Sequence, residues 1–224
     1  MRGGIVMRQS RTFIPTTREV PSSAEAISHK LLIKAGMVKQ VSAGVYTYLP
    51  LATRVIQKIE KVIREEHSKI GAAELLMPIL QSDEYWKKSG RWDKMGEELI
   101  RVTDRKKAGY ALSPTAEEII SQTVNNMVTS YKQLPMNLYQ IQTKFRDEMR
   151  PRLGLLRGKE FIMKDAYSFH DSPESLRETY KDYYQAYSNI FDRFELKYRA
   201  VQADSGNIGG SYTHEFQALA EVGE

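Results

Sequence analysis

The stretch from Gln142 to His170, QTKFRDEMRPRLGLLRGKEFIMKDAYSFH, constrains this chain most. Leading into it, Gln140, Gln142, Lys144, Arg146 and Glu148 alternate with Tyr139, Ile141, Thr143 and Phe145. That period of two predicts a strand with one buried face. A loop holding Pro151 and Gly154 follows, and a second extended run begins near Arg157. In it Arg157, Phe161 and Asp165 stand four apart and share a face. The simplest arrangement is an antiparallel pair with a polar loop at its tip. Such a pair carries Arg146, Glu148, Arg157 and Phe161 toward one surface.

Between Lys144 and Lys164 lie seven basic and three acidic residues, a balance of +4 against +5 for all 224 residues. Guanidinium forks beside an aromatic face suit a nucleoside polyphosphate, because arginine binds phosphate oxygens bidentately and a base can stack on Phe161. A solvated, charge-rich hairpin with Phe161 in the core is the alternative. The hydrophobic content of 41% supports one large domain or two small ones. No run reaches the length of a membrane span, and MRGGIVMRQSRTF lacks the apolar core of a signal peptide. Met7 is a possible alternative start. The absence of cysteine excludes disulfides, thiolate metal sites and cysteine nucleophiles, and is compatible with the cytosol. A pI near 9.2 permits nucleic-acid contact without requiring it.

Phe145-Arg146-Asp147-Glu148, a loop, then Arg157-x-x-x-Phe161-x-x-x-Asp165 resembles motif 2 of the class II aminoacyl-tRNA synthetases. The wording TKFRDE, RPR and KEFIMKDAYSFH is closer still to the bacterial-type prolyl-tRNA synthetase family. The likeness runs from about Arg11 to the last residue.

In chain order, Ser22-x-x-Glu25 is a capping-box pattern expected to open a helix carrying Ile27, Leu31 and Leu32, with Gly36 as its stop. VSAGVYTYLP, from Val41 to Pro50, reads as an extended or hairpin segment in which Tyr46 and Tyr48 pack. From Leu51 to about Lys69, Val55, Ile56, Ile59, Val62 and Ile63 give helical spacing, and Gly71 ends the run. Glu74 to Leu80 is a short apolar strand broken by Pro78, so an edge or an interface is expected. Helix followed by such a strand resembles motif 1, the family's homodimer element. Trp86 and Trp92 are read as packing residues. Ser113 is expected as N-cap and Pro114 as first residue of a helix with Ile119, Ile120, Val124, Met127 and Val128 inward. Ser172-Pro173 opens a long helix with a tyrosine-rich face. Tyr198 to Asp204 and Tyr212 to Leu219 are strand candidates, and SGNIGGS between them reads as a tight turn, not a P-loop. Four histidines and no cysteine make a zinc site improbable.

The resemblance implies a two-step ligase: proline and ATP give prolyl-adenylate, and the prolyl group passes to tRNA(Pro). On this carry-over Thr115 and Glu117 line the proline pocket, with Gln202, His214 and Glu215 near it. Glu117 accepts from the secondary ammonium, although acidic residues in a first helical turn also complement the dipole. Arg146 bridges the proline carboxylate and α-phosphate, Arg157 holds the γ-phosphate, Glu148 contacts the adenine side, and Phe161 stacks on the base. Mg²⁺ bridges the phosphates, with no protein ligands visible. In-line attack needs placement and charge stabilisation more than a dedicated base. The implied fold is α/β of the α+β type, a mainly antiparallel sheet flanked by helices, in a cytoplasmic homodimer. Residues 1–224 then correspond to an N-terminal part of the catalytic domain, holding motifs 1 and 2. No motif 3, editing insertion or anticodon-binding domain is found, so weak or absent adenylation by these residues alone is expected. The rivals are a threonyl- or seryl-specific relative, and a non-catalytic synthetase-like module that binds nucleotide, tRNA or a partner chain.

Overall fold

The computed structural model describes residues 8–204 and 212–223. Ser205–Ser211, the expected tight turn, and Met7 lie outside the described residues. The chain divides into two compact units. One comprises the chain up to Ile59, Glu148–Phe161 and Val222 onward; the other comprises Glu60–Asp147 and Ile162–Glu221.

In the first unit, helix α1 (Ile27–Lys34) precedes an antiparallel hairpin of β1 (Val38–Ser42) and β2 (Val45–Tyr48). Ser22 and Glu25 do not cap α1. Ala24 N donates to Pro21 O in a turn, and the helix begins five residues after Ser22. Gly36 does stop it: its φ of +62° suits glycine, and a Cβ there would sit 2.8 Å from Pro15 O.

Helix α2 (Pro50–Lys69) forms as its spacing predicts, and Gly71 follows at φ +69°. Its predicted apolar stripe is only partly covered, since Val55 and Ile59 are exposed. The buried positions near its end are instead Glu66 and His67. Glu66 accepts from Lys69 Nζ at 2.6 Å, Arg193 Nη1 at 2.6 Å and Asn189 Nδ2 at 3.2 Å. A buried carboxylate needs such partners.

The second unit contains two three-stranded sheets and a two-stranded one. In the first, β3 (Ala73–Glu74) pairs parallel with β7 (Met136–Phe145), which is hydrogen-bonded to β8 (Glu160–Phe169). In the second, β4 (Leu80–Ser82) and β5 (Arg101–Thr103) flank β6 (Gly109–Leu112) antiparallel. Pro78 falls in the break between β3 and β4, so the single strand expected over 74–80 is two short ones. Helices α3 (Asp83–Lys88) and α4 (Arg91–Lys94) lie between β4 and β5 in sequence, and α5 (Glu117–Met127) follows β6. Helix α6 (Pro173–Arg193) starts as predicted: Ser172 Oγ accepts from Ser175 N, and Pro173 occupies the first turn. The strands β9 (Tyr198–Gln202) and β10 (His214–Ala218) pair antiparallel.

The main core packs Met77, Ala116, Ile119, Ile120 and Val124 against Leu138, Tyr167 and Phe169 on one face of the β3-β7-β8 sheet. Met127, assigned to that stripe by spacing, is 71% exposed. Trp86, Leu99 and Ala111 form a second cluster with Trp92 and Met95, so both tryptophans pack. The other sheet face carries Tyr139 and Lys164 toward His67 of α2 and Tyr183 and Tyr187 of α6. No helix among the described residues is long and apolar enough to cross a membrane.

His67 is fully buried, its Nδ1 2.8 Å from Ile63 O and its ring 4.6 Å from that of Tyr139. Burial, and then the Lys164 cation, lower its pKa from 6.5 to about 4. Between these values the unfolded chain binds more protons than the folded one. Stability is therefore complete above pH 6.5 and falls toward pH 4, by about 3 kcal/mol from this group. Urea unfolding at pH 7 and pH 4 should show that loss, and His67→Phe should reduce it by about the same amount. An equal pH dependence in both proteins would exclude His67 as its source.

Candidate active site

The centre of the second unit is a buried ion pair. Lys144 on β7 is 0% exposed, and its Nζ lies 3.1 Å from Asp165 Oδ1 on β8. Asp165 Oδ2 also accepts from Gln140 Nε2 at 2.9 Å and Tyr167 Oη at 2.5 Å. Two polar members of the alternating run, Gln140 and Lys144, thus face inward. The strand is as predicted, but the face expected to be a solvated display surface is buried at Gln140 and Lys144. Desolvation lowers the Lys144 pKa, against the opposing pull of Asp165 and Glu117; Arg146 adds a small repulsion. Burial and the Asp165 hydrogen bond push the Tyr167 phenol up.

Tyr167 connects this pair to the start of α5. Ala116 N donates to its Oη at 3.0 Å. Ser113 and Pro114 do not cap the helix, whose N-cap is Ala116. Ser113 is buried, donates to Thr115 O at 2.8 Å and accepts from Gln81 Nε2 at 2.9 Å. Gln81 Oε1 in turn accepts from the buried Trp86 indole at 2.9 Å. The Ser113–Ala116 turn is thereby held on both sides. Thr115 Oγ1 donates to Glu117 Oε2 at 2.6 Å, so the two residues assigned to the proline pocket are in direct contact. Arg91 Nη1 also reaches Glu117 Oε2, at 3.1 Å. Arg146 is exposed one residue beyond β7, in the same unit.

The strands β9 and β10 place the remaining pocket candidates differently. Gln202 and His214 are directly opposite one another and share a face, whereas Glu215 opposes Val201 and points the other way. His214 Nδ1 is 2.9 Å from Tyr180 Oη, and its ring meets those of Tyr184 and Tyr212. Tyr180 and Tyr184 thus hold His214 against α6 by a hydrogen bond and ring packing, and Tyr212 packs on it from the segment before β10. Glu215 is exposed and accepts from Gln217 at 3.1 Å.

In the first unit, Glu148 and Arg157 form an ion pair, with Oε2 2.8 Å from Nε. Arg157 is not in the strand as expected, because β8 begins at Glu160. It ends a 3₁₀ turn over Gly154–Leu156 and makes an isolated antiparallel bridge with Arg152. Phe161 is half-buried at the start of β8. The loop is seated on the β1–β2 turn, where Lys159 N donates to Gly44 O at 2.8 Å. Gly44 has φ +76°, and a Cβ there would lie 2.8 Å from Pro151 Cβ and 2.9 Å from Lys159 N. A Cβ on Gly154 (φ +66°) would lie 2.7 Å from the His29 ring.

Sequence reasoning gave no role to Arg91, Lys144, Asp165 or Tyr167, which the structure joins to the Thr115–Glu117 turn through hydrogen bonds and the buried ion pair. Lys144 and Asp165 were in plain view within KFRDE and KDAYSFH, but nothing in a strand pattern marks a lysine as buried. Among the described residues, no cluster of three His, Asp or Glu side chains could hold a metal ion.

A helix-backed sheet with an arginine-bearing loop between two of its strands defines a class of protein. This chain belongs to the tRNA synthetase class II core domain family (G, H, P, S and T), whose model matches residues 100–224. Within it, the chain is 63% identical over 218 residues to the proline–tRNA ligase of Lysinibacillus sphaericus (strain C3-41) and 62% identical to that of Macrococcus caseolyticus (strain JCSC5402). Both alignments cover 97% of this chain and 38% of the relative, so the chain spans well under half their length. The fold is shared with Giardia lamblia prolyl-tRNA synthetase in complex with prolyl-adenylate (TM-score 0.72, 24% identity, 77% of this chain and 36% of that one). It is also shared with the Cryptosporidium parvum enzyme complexed with halofuginone and AMPPNP (TM-score 0.75, 18% identity, 85% and 39%).

The Lys144–Asp165 pair gives a direct test. Removing one partner of a buried pair leaves an uncompensated charge, at a cost of about 3–5 kcal/mol. Asp165→Ala should lower stability by that amount in chemical denaturation, because Lys144 then remains buried and the Tyr167 phenol loses its acceptor. A loss under about 1 kcal/mol would show that Lys144 escapes to solvent.

Proposed function

We propose that this chain carries the amino-acid and ATP recognition of a proline–tRNA ligase, which activates proline with ATP and, at full length, transfers it to tRNA(Pro). The observation that carries the reading is the Thr115–Glu117 contact, held between the Gln81–Ser113 and Asp165–Tyr167 hydrogen bonds. It offers a fixed carboxylate to a secondary ammonium. The 63% identity to a named proline–tRNA ligase supports proline as the amino acid.

Arg146 takes the proline carboxylate and the α-phosphate, where charge grows during attack. Arg157, oriented by Glu148, takes the γ-phosphate, and Phe161 stacks on adenine. Gln202, His214 and Glu215 are assigned to the surroundings of the amino acid. Mg²⁺ would accompany ATP as the counter-ion of its phosphates. Carboxylate attack then depends on alignment and on guanidinium charge. A cytoplasmic location follows from a role in translation.

Calorimetric titration with a non-hydrolysable prolyl-adenylate analogue, beside its threonyl and seryl counterparts, tests the reading. The prolyl compound alone should bind, and Arg146→Ala should weaken it on the order of a hundredfold, the loss expected when a charge-assisted contact that the ligand itself covers is removed. Unchanged binding by that variant would remove the arginine-bearing loop from the site.

A second copy of the chain is proposed to cover Leu76, which is 74% exposed, and Leu80 in the segment resembling motif 1. Sedimentation should then report a dimer that Leu76→Asp converts to monomer. A monomeric unsubstituted chain would contradict the assignment.

A further inference from the structure

Arg91 touches the carboxylate to which the substrate amine is assigned, and no motif marks it. It opens α4 directly after Gly90, whose φ is +72°. Its guanidinium lies over the Trp86 ring at 5.3 Å and its side chain is 15% exposed. Nη1 donates to Glu117 Oε2 at 3.1 Å and to Glu118 Oε1 and Oε2 at 3.0 and 3.2 Å. The Glu118 side chain is 1% exposed and also accepts from Ser89 Oγ at 3.0 Å.

Two features of this geometry bear on ligand binding. First, Thr115 Oγ1 and Arg91 Nη1 both approach Glu117 at Oε2. That arrangement fixes the carboxylate rotamer and directs Oε1 to an incoming N–H. Second, a cleft of about 500 Å³ lined by Lys88, Ser89, Arg91, Glu117, Glu118 and Gln122 opens at this cluster, so a ligand can reach the carboxylate.

We propose that Arg91 is the positioning residue of the amine site, and that Glu118 is its counter-charge. Together they hold Glu117 in place, with one carboxylate oxygen left to accept from the substrate amine. The proposal rests on the assignment of the proline ammonium to Glu117. The plainer account is that Arg91 only neutralises the buried Glu118.

The two accounts separate in L-proline binding to this chain, measured by calorimetry beside tetrahydrofuran-2-carboxylate, which keeps the ring and the carboxylate but has no N–H to donate to Glu117.

Arg91→Met with Glu118→Gln leaves the local sum of charges unchanged and no unpaired buried ion, but removes the clamp. Proline affinity should fall about tenfold, while binding of the oxygen analogue should not change. An equal loss for both ligands, or wild-type proline affinity, in the double variant would overturn the proposal in favour of simple neutralisation. Glu117→Gln is the control: it should abolish binding, and normal binding by it would defeat the proline-site assignment and this proposal with it.

Discussion

Lys144 and Asp165 set the terms for the rest of the second unit. An ammonium taken out of water must find a carboxylate, and the carboxylate must find donors for its remaining lone pairs. Asp165 meets the first need at 3.1 Å, and Gln140 and Tyr167 meet the second. Gln140 also accepts from Met77 N at 3.1 Å through its other amide atom. The pair thus ties β7 to β8, to the segment between β3 and β4, and through Tyr167 to α5. The opposite face of the sheet solves a similar problem without a carboxylate in contact. Lys164 donates to the Tyr187 phenol at 2.5 Å, and its ammonium lies 4.5 Å from the Tyr187 ring centroid. Burial lowers its pKa to about 8, low for a lysine but high enough to keep it mostly protonated at pH 7.

The loop after β7 is held by different forces. The side chains of Arg157 and Glu148 are 39% and 17% exposed, a setting in which an ion pair contributes about 0–1 kcal/mol. The pair is therefore too weak to hold the loop, and its effect is to orient a guanidinium. Backbone hydrogen bonds such as Lys159 N to Gly44 O, together with close packing, do the holding. Gly44 and Gly154 admit close backbone and ring contacts that any side chain would block.

Much of this was legible in the sequence, within limits that particular residues make clear. Strand β7 and helices α2, α5 and α6 follow from periodicity, and the Ser172–Pro173 start of α6 from capping chemistry. Periodicity does not say which face is inside, however. In β7 Gln140 and Lys144 are as buried as Tyr139, and their shared partner Asp165 comes from β8, which no local pattern marks. Capping signals failed where tertiary contacts competed for the same hydroxyl. Ser113 fits an N-cap pattern, but its Oγ is engaged by Gln81 Nε2 and Thr115 O, and the helix begins four residues later. Arg91 was invisible for a related reason. Its partners Glu117 and Glu118 are 26 and 27 residues distant, and no local pattern spans that gap.

The contrast between a rigid amine end and a loop seated by backbone hydrogen bonds and packing has a physical logic on the proposed reading. Selecting one ammonium by one carboxylate leaves little margin, since a rotated carboxylate loses both its hydrogen bond and its direction. Preorganisation by buried partners is the way to keep that geometry without spending ligand binding energy on it. A polyphosphate carries several charges and many acceptor oxygens, so guanidinium groups on a partly exposed loop can approach it in more than one arrangement. Burying those arginines would require counter-ions that then compete with the phosphates. The chain buries lysine beside aspartate within the sheet, and leaves Arg146, Arg150 and Arg152 exposed to solvent.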